Sequence, residues 1–333
     1  MRKILITGAS GCIGHYVTEA LATDPDAELI LFVRNPQKLR LDPRWRSEVT
    51  VVPGDMREIN RHADLLRTVN VAILAATEWG GPDAREINVN RTLELLHLLD
   101  PAVCTQVLYF STASVLDRAN RPLPEAATFG TWYIRSKYEA LLRLGEAPVA
   151  DRTTILAPSL VFATEGDKPH SFFSIDVPVF MKYVVGLARF FSLDGSFHFI
   201  HARDVAQVVR HLVQHPDLGG GLRTMVLGQE AVTFDQMAGE VIAAQGKRTY
   251  LRLPLPLSAL SRIVPLFQRH ILVEDRQWGA FCLRYRHFTH ASVINPSTFG
   301  LPTYCSTLVR ALQIAGFLGG RFAREVAGQP TQP

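Results

Sequence analysis

Tyr133 and Lys137 stand four positions apart in the stretch Trp132-Tyr133-Ile134-Arg135-Ser136-Lys137-Tyr138-Glu139-Ala140. The stretch reads as helix, and at this spacing both side chains leave one face. A phenol with an ordinary pKa near 10 is a poor base at neutral pH, but a neighbouring ammonium stabilises the phenolate and lowers that pKa. The pair is therefore expected to exchange a proton with a substrate hydroxyl or carbonyl. A third group lies in Phe110-Ser111-Thr112-Ala113-Ser114-Val115, directly after the apolar run 107–110. Open parallel sheets place ligands at the carboxyl ends of their strands, and a hydroxyl there can bond the reacting oxygen as charge develops. By spacing alone a Tyr-x-x-x-Lys pair is also common on surface helices, so the elements that position it matter.

Those elements begin at the N-terminus. A short apolar strand, Ile4-Leu5-Ile6, runs into Thr7-Gly8-Ala9-Ser10-Gly11-Cys12-Ile13-Gly14, and Ile13, Val17, Ala20 and Leu21 then recur at helical spacing. Glycine serves a tight turn, close backbone approach to a ligand, and close helix–strand packing. A helix starting near Gly11 aims its free N–H groups at a phosphate, so this turn predicts a dinucleotide cradle. Strand-like runs at 29–33, 49–52, 71–75 and 107–110 alternate with helical patterns, among them 87–99, which stops before Pro101. Such alternation predicts an α/β fold with a doubly wound parallel sheet covered on both faces.

Past residue 150 a strand at 153–157 ends at Pro158, and 164–178 reads as loop. The sheet pattern returns at 199–200, in a helix at 204–215 and in a strand at 224–227, after which Thr233-Phe234-Asp235-Gln236 reads as a capping box. Asp204 reads as the N-terminal cap of its helix and His201 as a core histidine. The expected organisation is a cofactor domain from residues 1–158 and 199–228, with a smaller discontinuous substrate-binding domain from 159–198 and 229–333 and a cleft between them.

The residue after the second strand discriminates between nicotinamide cofactors: an acid binds the ribose 2′-hydroxyl, an arginine accommodates a 2′-phosphate. Here it is Arg34, with Lys38 and Arg40 close by and no acid from Leu29 through Leu41. NADP is expected over NAD, the alternative being that Arg34 is a solvated loop charge.

The 333 residues, 47% hydrophobic and 20% charged, suffice for a full core, and a net charge of +4 without a basic stripe argues against a nucleic-acid partner. Cys12, Cys104, Cys282 and Cys305 show neither paired nor metal-like spacing, which fits a reducing, cytoplasmic setting with no metal. The apolar start lacks the length of a signal-peptide core, because Thr7 and Gly8 interrupt it. No run spans a bilayer; 177–193 and 253–273 come nearest, and they read as substrate-domain core or a homodimer contact, with peripheral membrane contact as the alternative.

Taken in order, Thr7-Gly8-x-x-Gly11-x-x-Gly14, Gly54-Asp55, Ala75-Ala76-Thr77, Asn88-Val89-x-Arg91-Thr92, Ser111-Thr112-Ala113-Ser114-Val115, Tyr133-x-x-x-Lys137 and Phe199-Ile200-His201-x-x-Asp204-Val205-Ala206 resemble the extended branch of the short-chain dehydrogenase/reductase superfamily. That branch includes the NAD(P)-dependent epimerase/dehydratase proteins. The resemblance covers residues 1 to about 230 and implies a Rossmann-type domain. It also implies cofactor contacts from Gly8, Ser10, Gly11, Cys12, Ile13, Gly14, Arg34, Lys38, Asp55, Met56, Ala75, Ala76, Thr77, Tyr133, Lys137 and Pro158. Asp55 would meet the adenine, Lys137 would hold the nicotinamide ribose and tune Tyr133, and Thr112 would be the catalytic hydroxyl. On the residues alone, Asp55 also reads as a turn residue and Asn88 as a helix-packing one.

Departures from the pattern narrow the expectation. The branch's dehydratases follow the catalytic threonine with acids that expel a hydroxyl, whereas Ala113 and Ser114 stand here, so dehydration is not expected. Its nucleotide-sugar epimerases carry a pyrophosphate-binding arginine at the place of Phe197, so that anchor is missing unless Arg189, Arg223 or Arg252 replaces it. Phe172, Phe173, Phe180, Phe190, Phe191 and Phe197 crowd one span and, where they line the cleft, favour an apolar or amphipathic substrate. The expected function is an NADP-dependent oxidoreductase acting on a carbonyl or hydroxyl of a small molecule. The alternatives are a sugar epimerase with retained NAD and a non-catalytic NADPH-binding scaffold.

Overall fold

The computed structural model describes residues 1–41, 49–163, 168–171, 188–256 and 273–314. In chain order its strands are β1 (Arg2–Thr7), β2 (Ala27–Val33), β3 (Val49–Pro53), β4 (Val71–Leu74), β5 (Gln106–Phe110), β6 (Thr153–Pro158), β7 (Leu160–Phe162), β8 (Phe191–Ser192), β9 (Ser196–Phe197), β10 (Phe199–His201), β11 (Arg223–Leu227), β12 (Val232–Thr233), β13 (Leu253–Pro254) and β14 (His287–Phe288). Seven of them form one parallel sheet in the order β11-β6-β5-β4-β1-β2-β3. The chain winds outward from β1 to β3, then returns to β4 and winds the other way. The carboxyl ends of β1 and β4 therefore flank the point where strand order reverses, which is where such sheets open a ligand crevice.

The unbroken apolar runs that announce these strands follow from burial on both faces. Alternate residues point to opposite sides. Ile4, Ile6, Leu29 and Leu31 join a core beneath helix α1 (Cys12–Leu21) and the helix Ala202–Gln214. Leu5, Ile30, Ala72 and Tyr109 face the opposite core, which is closed by the helices Thr92–Leu98 and Trp132–Arg143. The expected 87–99 helix is a continuous turn series whose first part, Glu86–Arg91, is a π-helix running into Thr92–Leu98.

Beyond the sheet, β12, β9 and β14 form a three-stranded sheet, while β7 pairs with β10 and β8 with β13. The 199–200 strand thus lies outside the central sheet. Its two faces explain why: Ile200 packs into the core under α1, whereas Phe199 packs with Phe162 and Phe197 into a separate cluster beneath the helices Phe234–Ala244 and Leu308–Ile314. Thr233 and Gln236 form the expected reciprocal capping box. Asp204 does not cap its helix. His201 takes that position, its Nδ1 accepting from the Arg203 amide at 3.1 Å. The Asp204 carboxylate, a turn further in, instead accepts the amides of Tyr304 at 2.6 Å and Cys305 at 3.0 Å, tying the helix to the distal segment. His201 is fully buried, against Tyr16 and Tyr304.

No helix among the described residues is long and apolar enough to cross a membrane. Most of 177–193 and of 253–273 lies outside the described residues, as do Phe172, Phe173 and Phe180. Of the other phenylalanines, Phe197 is buried in core against Phe234, and Phe190 stacks on Tyr250 at an exposed edge. Phe197 therefore packs the second core rather than lining a cleft.

Candidate active site

The glycine turn fits a closely approached backbone. Gly8 adopts φ +70°, and a Cβ there would lie 2.6 Å from the Ala76 amide nitrogen, at the end of β4. A Cβ on Gly14 would meet the Gly8 carbonyl oxygen at 2.2 Å, so the first turn of α1 can pack on β1 only without a side chain. Gly11 is the N-cap of α1, supplies no side-chain cap and is followed by no acid in the first turn. That leaves the amides of the first turn for an anion. Burial pushes the Cys12 thiol up to about 12, so it stays neutral.

Thr7 joins this turn to the end of β4, its Oγ1 accepting from the Ala76 amide at 3.2 Å. At the end of β2, Arg34 and Lys38 are exposed beside the turn Pro36–Lys38, which Asn35 caps by accepting from the Gln37 amide at 3.0 Å. Asp55, after β3, accepts the Arg57 amide at 2.9 Å and pairs with its guanidinium at 3.1 Å, so its side chain holds a turn. Met56 begins the short helix that follows, and Pro158 is buried at the carboxyl end of β6.

Asn88, which belongs to one of the ordered motifs and on its residue type alone also reads as helix packing, has a side chain that joins two parts of the site. It is fully buried and accepts from the Thr77 hydroxyl at 3.0 Å and the Glu78 amide at 2.8 Å. It donates to the Glu78 carbonyl at 2.8 Å and to the Ser136 hydroxyl at 2.9 Å. Ser136 in turn donates to the Tyr133 carbonyl at 2.8 Å. The loop after β4 is thereby fixed to the helix bearing Tyr133 and Lys137. An amide in the middle of a helical run, where it is a poor helix former, was the available signal.

Thr112 ends the extended chain after β5, its Oγ1 accepting the Ser114 amide at 3.3 Å, and its side chain lies beside that of Tyr133. Ser111, the hydroxyl just before Thr112, is buried, and its Oγ has no partner among the described residues. Thr131 caps the helix Trp132–Arg143, placing Tyr133 in its first turn. Lys137, one turn on, is 2% exposed, donates to the Phe110 carbonyl at 2.8 Å and lies 5.0 Å over the Tyr109 ring.

Here the electrostatic expectation is corrected. Desolvation pushes the Tyr133 phenol up from its ordinary value, only partly offset by Thr112, and pushes Lys137 down to about 7. A low-dielectric pocket disfavours both charged forms, and the Lys137 ammonium is spent on a backbone carbonyl. One aromatic neighbour was not foreseen: Trp79, 55% exposed, stacks on Tyr133 with ring centroids 4.4 Å apart.

The model of the NAD dependent epimerase/dehydratase family matches residues 4–228. The chain belongs to that family. A search of curated protein sequences finds no match. Among solved structures, the fold is similar to the terminal R domain from the myxalamid PKS-NRPS biosynthetic pathway, with TM-score 0.64 and 20% identity over 98% of this chain and 91% of that one. It is also similar to a UDP-N-acetylglucosamine 4-epimerase from Methanobrevibacter ruminantium, with TM-score 0.61 and 13% identity over 95% and 97% of the two chains. A third, the dTDP-glucose 4,6-dehydratase DesIV from Streptomyces venezuelae with NAD bound, has TM-score 0.54 and 19% identity over 85% and 96%. The family and its structural neighbours thus support a nicotinamide dinucleotide as cofactor.

Proposed function

We propose that the protein is an NADP-dependent oxidoreductase acting on a carbonyl or hydroxyl of a small apolar or amphipathic molecule. The observation that carries this reading is Thr112 beside Tyr133, with the enclosed Lys137 one turn further along the same helix and bonded to the Phe110 carbonyl at the end of β5. A nicotinamide dinucleotide, when bound, would supply or accept the hydride. Tyr133, kept protonated at neutral pH by desolvation, donates its proton to the substrate oxygen. Thr112 positions that oxygen, and Lys137 in its ammonium form stabilises the phenolate left behind.

The substrate class rests on what surrounds Tyr133. The exposed face of Trp79 offers dispersion and a flat apolar surface next to the reactive hydroxyl. The cations considered as pyrophosphate anchors are engaged elsewhere. Arg252 pairs with Asp235 at 2.8 Å, and Arg189 donates to the Arg248 carbonyl at 2.8 Å and lies over Tyr250. Arg223 opens β11, at the end of the sheet opposite the crevice. These positions argue against the second reading, a nucleotide-sugar epimerase.

Denaturing the purified protein and identifying any released dinucleotide by mass spectrometry tests the reading. NADPH, or an empty protein that titrates with NADPH, is expected. Tightly held NAD together with a sugar nucleotide would replace this reading with the epimerase.

A further inference from the structure

His15 lies one turn into α1 and is 1% exposed, so its imidazole must find partners inside the protein. Nδ1 bonds the Gly11 carbonyl at 2.7 Å, within the glycine turn. A carbonyl can only accept, so Nδ1 carries the proton and Nε2 is left as an acceptor. Nε2 accepts the backbone N–H of Arg40 at 3.0 Å, across 25 residues of sequence, and the Lys38 carbonyl lies beside the same ring. One side chain therefore ties the phosphate cradle to the loop after β2.

That loop also packs Leu39 and Leu41 against the core beneath α1. Its local bonds are the Asn35 cap, the turn bonds Lys38 N–H to Asn35 carbonyl at 3.1 Å and Leu39 N–H to Pro36 carbonyl at 3.0 Å, and Arg40 guanidinium to Gln37 carbonyl at 2.8 Å. These hydrogen bonds shape the loop and the Leu39 and Leu41 contacts hold it to the core, while His15 supplies a directed bond from α1 itself to the Arg40 backbone. The loop carries Arg34 and Lys38, whose exposed side chains stand where an adenosine 2′-substituent is discriminated.

We propose that His15 is a positioning residue for cofactor choice: by bridging Gly11 and Arg40 it holds the loop of Arg34 and Lys38 at the distance a 2′-phosphate requires. The inference rests on the NADP reading above and deepens it. A fixed loop lets Arg34 meet the phosphate without an added ordering cost, whereas a loosened loop charges that cost to NADPH alone. NADH, which makes no phosphate contact there, is indifferent to it.

The test is fluorescence titration of NADPH and NADH against the wild type, His15→Ala, Arg34→Ala and the double variant. The wild type should prefer NADPH. His15→Ala should weaken NADPH by about tenfold, the size of a charge-assisted hydrogen bond, and NADH by no more than about twofold. In the Arg34→Ala background the same His15 change should leave NADPH within about twofold, because the contact it served is gone. Equal weakening of both cofactors would reduce His15 to a support of the glycine turn and overturn the proposal, as would an unchanged NADPH affinity. A wild type without NADPH preference would overturn the cofactor reading beneath it, which separates the two failures. Should His15→Ala not fold, nitrogen NMR of the labelled wild type decides: the Nδ1–H tautomer with an acceptor Nε2 is expected, and a proton on Nε2 would overturn the bond to Arg40.

Discussion

At the scale of single residues, the site is set by what burial does to two opposite charges. Tyr133 rises and Lys137 falls to about 7, both chiefly through desolvation. A phenol held protonated suits proton donation, the step that the proposed carbonyl reduction requires. The ammonium of Lys137 is present below its pKa and lost above it. The rate of reduction at low substrate should therefore be flat below about pH 7 and fall about tenfold per pH unit above it. A pH–rate profile checks this, and Lys137→Met, which cannot carry the charge, should be slow at every pH and lack that limb. Trp79 is invisible to motif reasoning because its importance comes from stacking on Tyr133 across 54 positions, a tertiary contact with no local periodicity.

At the scale of elements, the loop after β4 and the helix Trp132–Arg143 act as one piece because Asn88 satisfies groups on both. Asn88→Ala would leave the Glu78 amide and carbonyl unpaired, and a loss of about 2 kcal/mol or more in denaturant unfolding is expected, with weakened Trp79–Tyr133 stacking seen as altered fluorescence. Gly14→Ala should abolish NADPH binding in a titration and lower the melting temperature, since its Cβ has no room against the Gly8 carbonyl. The central sheet was legible from sequence because strands buried on both faces are continuous apolar runs, as β1, β2, β4 and β5 are. So was the glycine turn, whose residue types answer local backbone geometry. The role of Asp204 was not: its partners, Tyr304 and Cys305, lie 100 positions or more away, and the nearer His201 has an equally good acceptor for the cap. The pairing of β10 with β7 was hidden for the same reason, because a short apolar strand carries no mark of which sheet it joins.

At the scale of the whole molecule, proton linkage opposes acid stability. His15, His198 and His290 are held below the ordinary imidazole value by desolvation, His290 at about 4. The unfolded chain takes up their protons near pH 6.5 and the folded chain resists, so their contribution is present above that pH and lost as pH falls toward 4. Asp204 acts in the reverse sense. Burial raises it to about 6, so the folded chain binds its proton first and its contribution is lost as pH rises from about 4 to 6. The histidines outweigh it, and the melting temperature should fall by more than about 3 °C between pH 7 and pH 5. Asp204→Asn, which removes the compensating group, should steepen that fall in the same scans. The functional account rests on a proton passing from Tyr133 to a substrate oxygen in the crevice between β1 and β4. Oxidation of NADPH with a panel of neutral aldehydes and ketones, followed for the wild type and Tyr133→Phe, tests it most directly. The account predicts at least one reduced carbonyl whose rate drops roughly 10²- to 10⁴-fold in the variant while NADPH affinity is kept; full turnover in Tyr133→Phe would contradict it.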